Sequence, residues 1–240
     1  MKKLIIILCA LCFTASAAFA DGVIKRRIIG GGVAAPAYDA KGASAVGTGN
    51  LTWTHTPVGT PRGILVFVIQ DASGADQVSG VTYGGTAMTE VTGSPNLKAT
   101  GEAMSVYAYF LGSSIPTGPQ EIVATVSGAA TKRGMSISVT SGADTQINDV
   151  DATLSSDIVA NPYASLSLGG VASFAAIGFM SGQVDTSACV ALEGWVNRYY
   201  SDFGVSVGGI DSYATVGTAD VTIGHTQASD DYVAIGVAIQ

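Results

Sequence analysis

Cysteine, histidine and charge are all scarce in this 240-residue chain, and each shortage narrows what the protein can be. Cys9 and Cys12 fall within the first twenty residues, so beyond them Cys189 stands alone and no intrachain disulfide can form. Cys189, in SACVALEGW, reads as a small buried hydrophobe rather than a reactive thiol. His55 and His225 are the only histidines; each falls within an expected strand, far from the other, and both read as exposed strand residues rather than metal ligands. No G-x-S-x-G elbow is present, and Glu90, Glu102, Glu121 and Glu193 do not pair by spacing as a glycosidase would require, so no catalytic constellation is expected and the chain reads as a non-enzyme. Charged residues make up only 12% of the chain against 48% hydrophobic, a balance opposite to that of a disordered protein. Nowhere do apolar residues recur at i, i+3, i+4 and i+7 over three turns, so no long helix is expected.

What is present begins at the N-terminus. Lys2 and Lys3, the apolar run Leu4 to Phe13 and the Ala18-Phe19-Ala20 triplet make the three parts of an export signal, too short for a membrane span. Residues 1–20 are therefore expected to be removed, giving a secreted, extracellular or periplasmic protein starting at Asp21 with no transmembrane segment. Asp21, rather than a cysteine, follows the cleavage site, so lipidation there is not expected. Losing Lys2 and Lys3 leaves nine basic against eighteen acidic residues, a charge of −9, which disfavours nucleic acid and anionic membranes as partners.

Residues 21–44, with Lys25-Arg26-Arg27 and Gly30-Gly31-Gly32, lack strand or helix periodicity and read as a flexible leader, available for self-association as a docking arm. Residues 45–240 read as one β-sandwich domain. LTWTHTP (51–57) alternates as a half-buried strand, whereas GILVFVIQ (63–70) is apolar on both faces and reads as a central strand. VSGVTYGG and TAMTEV read as a hairpin around Gly84-Gly85. About a dozen short strands, with longer connections at 92–103 and 143–162 crossing between sheets, give an all-β, antiparallel, jelly-roll-like sandwich. Ile64, Val66, Val68, Val233, Ile235 and Val237 are expected in its core.

Three ordered segments carry a resemblance: VTYGGTAMT, then FLGSSIPTG, then DDYVAIGVAI. Together they resemble a largely uncharacterised β-sandwich module of exported bacterial and phage-like virion proteins. The resemblance covers residues 45–240 and implies the fold, but it transfers no catalytic residue.

Two clusters are candidate sites. Trp195, Asn197, Arg198, Tyr199 and Tyr200 form the densest aromatic patch and suit a glycan, because sugars stack on Trp and Tyr rings. In a regular strand Trp195 and Tyr199 share one face and Arg198 and Tyr200 the other; the plainer account is a core face and a polar face. Asp144, Asp149 and Asp151 suit calcium, the one cofactor the sequence suggests, although their spacing is not that of an EF-hand and a solvated Asx-rich turn is the plainer account. Asp230-Asp231 reads as the turn into the last strand. The expected function is a surface, matrix or adhesion module that contacts glycans. The alternative is a structural subunit of an assembly, either a virion decoration or fibre protein or an exported filament.

Overall fold

The computed structural model describes residues 34–71, 77–99, 101–183, 189–203, 206–213 and 217–240. The expected signal and the first part of the expected leader lie outside the described residues. Among the described residues the chain is all β, in nineteen strands with only antiparallel pairing and no helix.

The first ten strands are β1 (Ala37–Ala43), β2 (Leu51–His55), β3 (Gly63–Asp71), β4 (Val78–Tyr83), β5 (Thr86–Ala87), β6 (Thr89–Glu90), β7 (Asn96–Lys98), β8 (Met104–Leu111), β9 (Gln120–Val126) and β10 (Thr131–Thr140). They build two sheets, ordered β1-β10-β3-β8-β6 and β2-β9-β4-β5. Two facing four-stranded orders of this kind, with two Greek-key turns between them, make a jelly roll. β4 and β5 meet in a two-residue turn, where Gly84 and Gly85 take φ values of +53° and +79°. Both values suit glycine and give the primed turn that matches strand twist.

The remaining strands are β11 (Ile147–Asp151), β12 (Ser155–Val159), β13 (Tyr163–Leu166), β14 (Phe174–Ser181), β15 (Cys189–Ala191), β16 (Trp195–Asp202), β17 (Val207–Tyr213), β18 (Val221–Gln227) and β19 (Asp230–Ile239). Their sheets run β11-β19-β14-β17-β16 and β13-β18-β15. Seven of these strands repeat seven of the first set in chain order and in neighbours. β1, β10, β3 and β8 correspond to β11, β19, β14 and β17, and β2, β9 and β4 to β13, β18 and β15. The register repeats too: Gly63 lies opposite Val139 as Phe174 lies opposite Ile239. The region expected as a single sandwich is thus two tandem jelly rolls.

The rolls stack through their larger sheets, giving four layers and three cores. Leu65, Phe67 and Ile69 of β3 and Met135, Ile137 and Val139 of β10 meet Ala176 and Met180 of β14 and Val233, Ile235 and Val237 of β19 in the central core. The opposite faces of the same strands line the outer cores. Ile64, Val66 and Val68 pack with Trp53 and Tyr83, while Ile177 and Phe179 pack with Ile223 and Tyr232. All six residues expected in the core are fully buried. β3 and β19 lie in different sheets and do not pair: across the central core β3 faces β14 and β17, while β19 faces β8.

Two parts of the sequence reading are corrected by the backbone. Residues 37–43, assigned to the flexible leader, form β1 and pair with β10 along its length. Their pattern is irregular because the strand lies at a sheet edge and carries a bulge between Tyr38 and Ala40. The connections 92–103 and 143–162 contain β7, β11 and β12; β11 and β12 are edge strands, and all residues of β11 are half-buried, so no alternation marks it. His55 and His225 are also not exposed: both are fully buried.

Candidate functional site

The predicted aromatic patch lies on β16, the edge strand of the third layer. A bulge between Asn197 and Tyr199 shifts its pairing with β17 and breaks the expected alternation. Trp195 and Tyr200 both turn to the outer core of the second roll, and Tyr199 to the central core. Trp195 is only 8% exposed; its indole N–H donates to the Thr222 carbonyl at 2.9 Å, and its ring meets Tyr213 edge-on. The Tyr200 hydroxyl donates to Asp211 Oδ2 at 3.2 Å. Neither ring presents a face to a sugar. Asn197, exposed, and Arg198 and Tyr199, half-buried, stay near solvent.

The fold brings three further residues to them. Tyr38 and Lys41 come from β1 and Arg133 from β10, so the rim where β1 meets β16 becomes a cationic–aromatic seam. The Arg198 guanidinium lies over the Tyr38 ring, its Cζ 3.6 Å from the centroid, and its Nε donates to Ser212 Oγ at 2.7 Å. The Arg133 guanidinium lies 4.5 Å from the Tyr199 centroid, donates to Ser201 Oγ at 2.9 Å and also reaches the Tyr199 hydroxyl. Lys41 donates to the Arg198 carbonyl, and its ammonium lies 5.9 Å from the Tyr199 ring. Burial raises the Tyr38 phenol, with Arg198 pulling the other way, and burial lowers the Arg198 guanidinium. Among the described residues no carboxylate forms an ion pair with Lys41, Arg133 or Arg198.

Asp144, Asp149 and Asp151 are not brought together. Asp144 pairs with Arg62 at 3.1 Å, Asp149 accepts from the Ser167 amide and Asp151 caps the Thr153 amide and hydroxyl. Among the described residues no group of three or more His, Cys, Asp or Glu could hold a metal ion.

Sequence reasoning missed the buried polar networks. In the second roll His225 Nε2 lies 2.5 Å from Asp211 Oδ2, which leaves Nδ1 to accept from the Tyr232 hydroxyl at 2.6 Å. Phe179 covers the imidazole at 3.9 Å. Cys189 is buried beside this group, and burial, then the Asp211 charge, pushes its thiol up, as suits an inert residue. Burial, then Asp211, likewise raises Tyr200. In the first roll His55 Nδ1 lies 2.8 Å from Ser136 Oγ, Nε2 has no partner, and burial pushes the imidazole down to about 4. Asp231, expected in a turn, forms a buried pair with Lys98 at 3.1 Å. Glu102 beside it is raised by burial and then by Asp230, Asp231 and Asp71. Period two was the available clue: Asp211 follows the core residue Ile210, which places its side chain on the opposite, equally buried face.

A scan against protein-family models, a search of curated proteins and a search of solved structures each found no match to this chain.

Proposed function

We propose that this is a secreted, non-enzymatic module that acts at a surface or in a matrix and contacts glycans through the β1–β16 seam. One observation carries the reading. His55, His225, Asp211 and Cys189 are sealed between layers at no more than 2% exposure, while charged and aromatic groups converge near solvent at the seam. A buried His–Asp–Tyr network cross-links strands and gives a stiff scaffold. A rigid edge carrying stacked guanidinium and phenol groups suits a binding site better than a reaction centre. Lectin domains share the jelly-roll topology, an analogy of fold that transfers no residue. The export signal would deliver the module outside the cytoplasm. Intact-mass measurement of secreted protein is expected to find Asp21 first, and a retained Met1 would refute export processing. Polysaccharide pull-down tests the recognition: retention by at least one polymer is expected, and retention by none removes it.

The open edges of the outer sheet favour a second reading, a subunit of an assembly. Among the described residues β13 and β15 each pair with β18 on one side only, and an unpaired strand edge is a template for another chain. Light scattering on the mature protein separates the two, since a strict monomer at all concentrations excludes assembly through these edges.

A further inference from the structure

We propose that the β1–β16 seam binds the acidic groups of a carboxylate- or sulfate-bearing polysaccharide; this rests on the glycan reading above and names its chemical class. The argument starts from unused donors. Arg198 spends its Nε on Ser212, and among the described residues its two Nη groups have no hydrogen-bond partner. The Nε bond to Ser212 and the contact with the Tyr38 ring restrain the guanidinium from two sides, so the fork is pre-positioned. Lys41 is exposed and is tied by one bond to the Arg198 carbonyl, which places its ammonium beside the same stretch of edge. A planar fork with an adjacent ammonium matches the two oxygens of a carboxylate or sulfate.

The charge balance sharpens this. The mature chain carries −9, yet Lys41, Arg133 and Arg198, three of its nine cations, gather here with no carboxylate paired to them. An intramolecular role for Arg198 alone needs only its Nε bond and its stacking; a free fork held near solvent is the arrangement an external anion completes. The Asn197 side chain, exposed on the same bulge, adds neutral donors and acceptors for hydroxyl groups. Charge density selects among polyanions. Duplex DNA, with a charge every ~1.7 Å, is repelled by the acidic remainder of the molecule. A polyuronate presents one carboxylate per sugar, spaced to meet a single fork and ammonium.

The test uses the secreted mature protein with polygalacturonate, dextran sulfate, unsubstituted dextran and duplex DNA, by affinity electrophoresis and calorimetry. Binding to either acidic polysaccharide is expected, weakening as salt rises, with dextran and DNA weaker by about tenfold or more. Lys41→Gln, at an exposed position, and Arg198→Gln are each expected to weaken binding by about tenfold. The melting temperature of each variant reports whether it is folded, and Lys41→Gln decides the matter if Arg198→Gln is not. Equal binding of dextran, unaffected by either variant, overturns this inference and leaves the glycan reading standing. No binding of any polysaccharide overturns both. Binding of DNA as tight as that of polygalacturonate identifies an unselective cationic rim and overturns the inference.

Discussion

His55 is a base stored neutral inside the first roll, and that fixes a direction of pH dependence. Its pKa falls from 6.5 to about 4 on folding, first through burial, with Asp39 opposing. The unfolded chain therefore binds the proton more readily between these values, and stability is full above 6.5 and declines as pH falls towards 4. At ~1.4 kcal/mol per unit the loss amounts to about 3 kcal/mol. Urea unfolding between pH 4 and 7 is expected to show this decline, and His55→Asn to flatten it by a comparable amount. A variant with the wild-type slope would show that other groups carry the acid sensitivity. At this scale the sequence was legible for the burial of Cys189. It was not legible for the two histidines. A histidine on a strand can face either way, and the Ser136, Asp211 and Tyr232 groups that make burial tolerable come from other strands.

Among the elements, β3 and β8 of the first roll stack on β14 and β19 of the second. Val66 has no exposed surface, so Val66→Asp puts an unpaired charge into the outer core. The expected result is no cooperative melting transition, and a soluble variant melting like the wild type would remove β3 from the core. Gly178, in β14, lies against Phe67 of β3 across the central core. A Cβ there meets Phe67 Cδ1 at 2.3 Å, so Gly178→Ala must displace the ring, at about 1–3 kcal/mol. Gly80, in β4, has nothing within 4 Å of the same construction. Gly80→Ala serves as the control and is expected to leave the melting temperature unchanged or slightly raised. Strand β3 was readable as two-sided from GILVFVIQ alone. The bulge in β16 was not, because WVNRYY alternates equally well in either register until β17 selects one.

For the whole molecule, the continuous apolar runs in β3, β8, β14 and β19 were the visible sign of more than two layers. A two-layer sandwich exposes one face of each strand, and these strands expose neither. What stayed hidden was the duplication, which lies in pairing order and register rather than in repeated residues. The calcium expectation also belongs to this scale. Since Asp144, Asp149 and Asp151 serve three separate contacts, calorimetric melting curves in calcium and in EDTA are expected to superimpose. A melting temperature that rises with calcium, and is blunted by Asp149→Asn, would show that the loop closes on an ion.

The segment 142–146 bonds Ala34 at one end and Gln240 at the other. The Ala34 carbonyl accepts from the Gly142 amide at 3.0 Å, and Gln146 and Gln240 exchange backbone hydrogen bonds at 2.9 and 3.0 Å. Each roll therefore closes where it opened, and the path is that of a figure eight with its crossing at residues 142–146. Such a path tolerates circular permutation. A chain opened between Ala143 and Asp144, with Gln240 joined to Ala34 by a short glycine–serine linker, runs through the second roll first and keeps every layer. It is expected to melt in one transition close to that of the parent, because the central core couples the rolls whichever is made first.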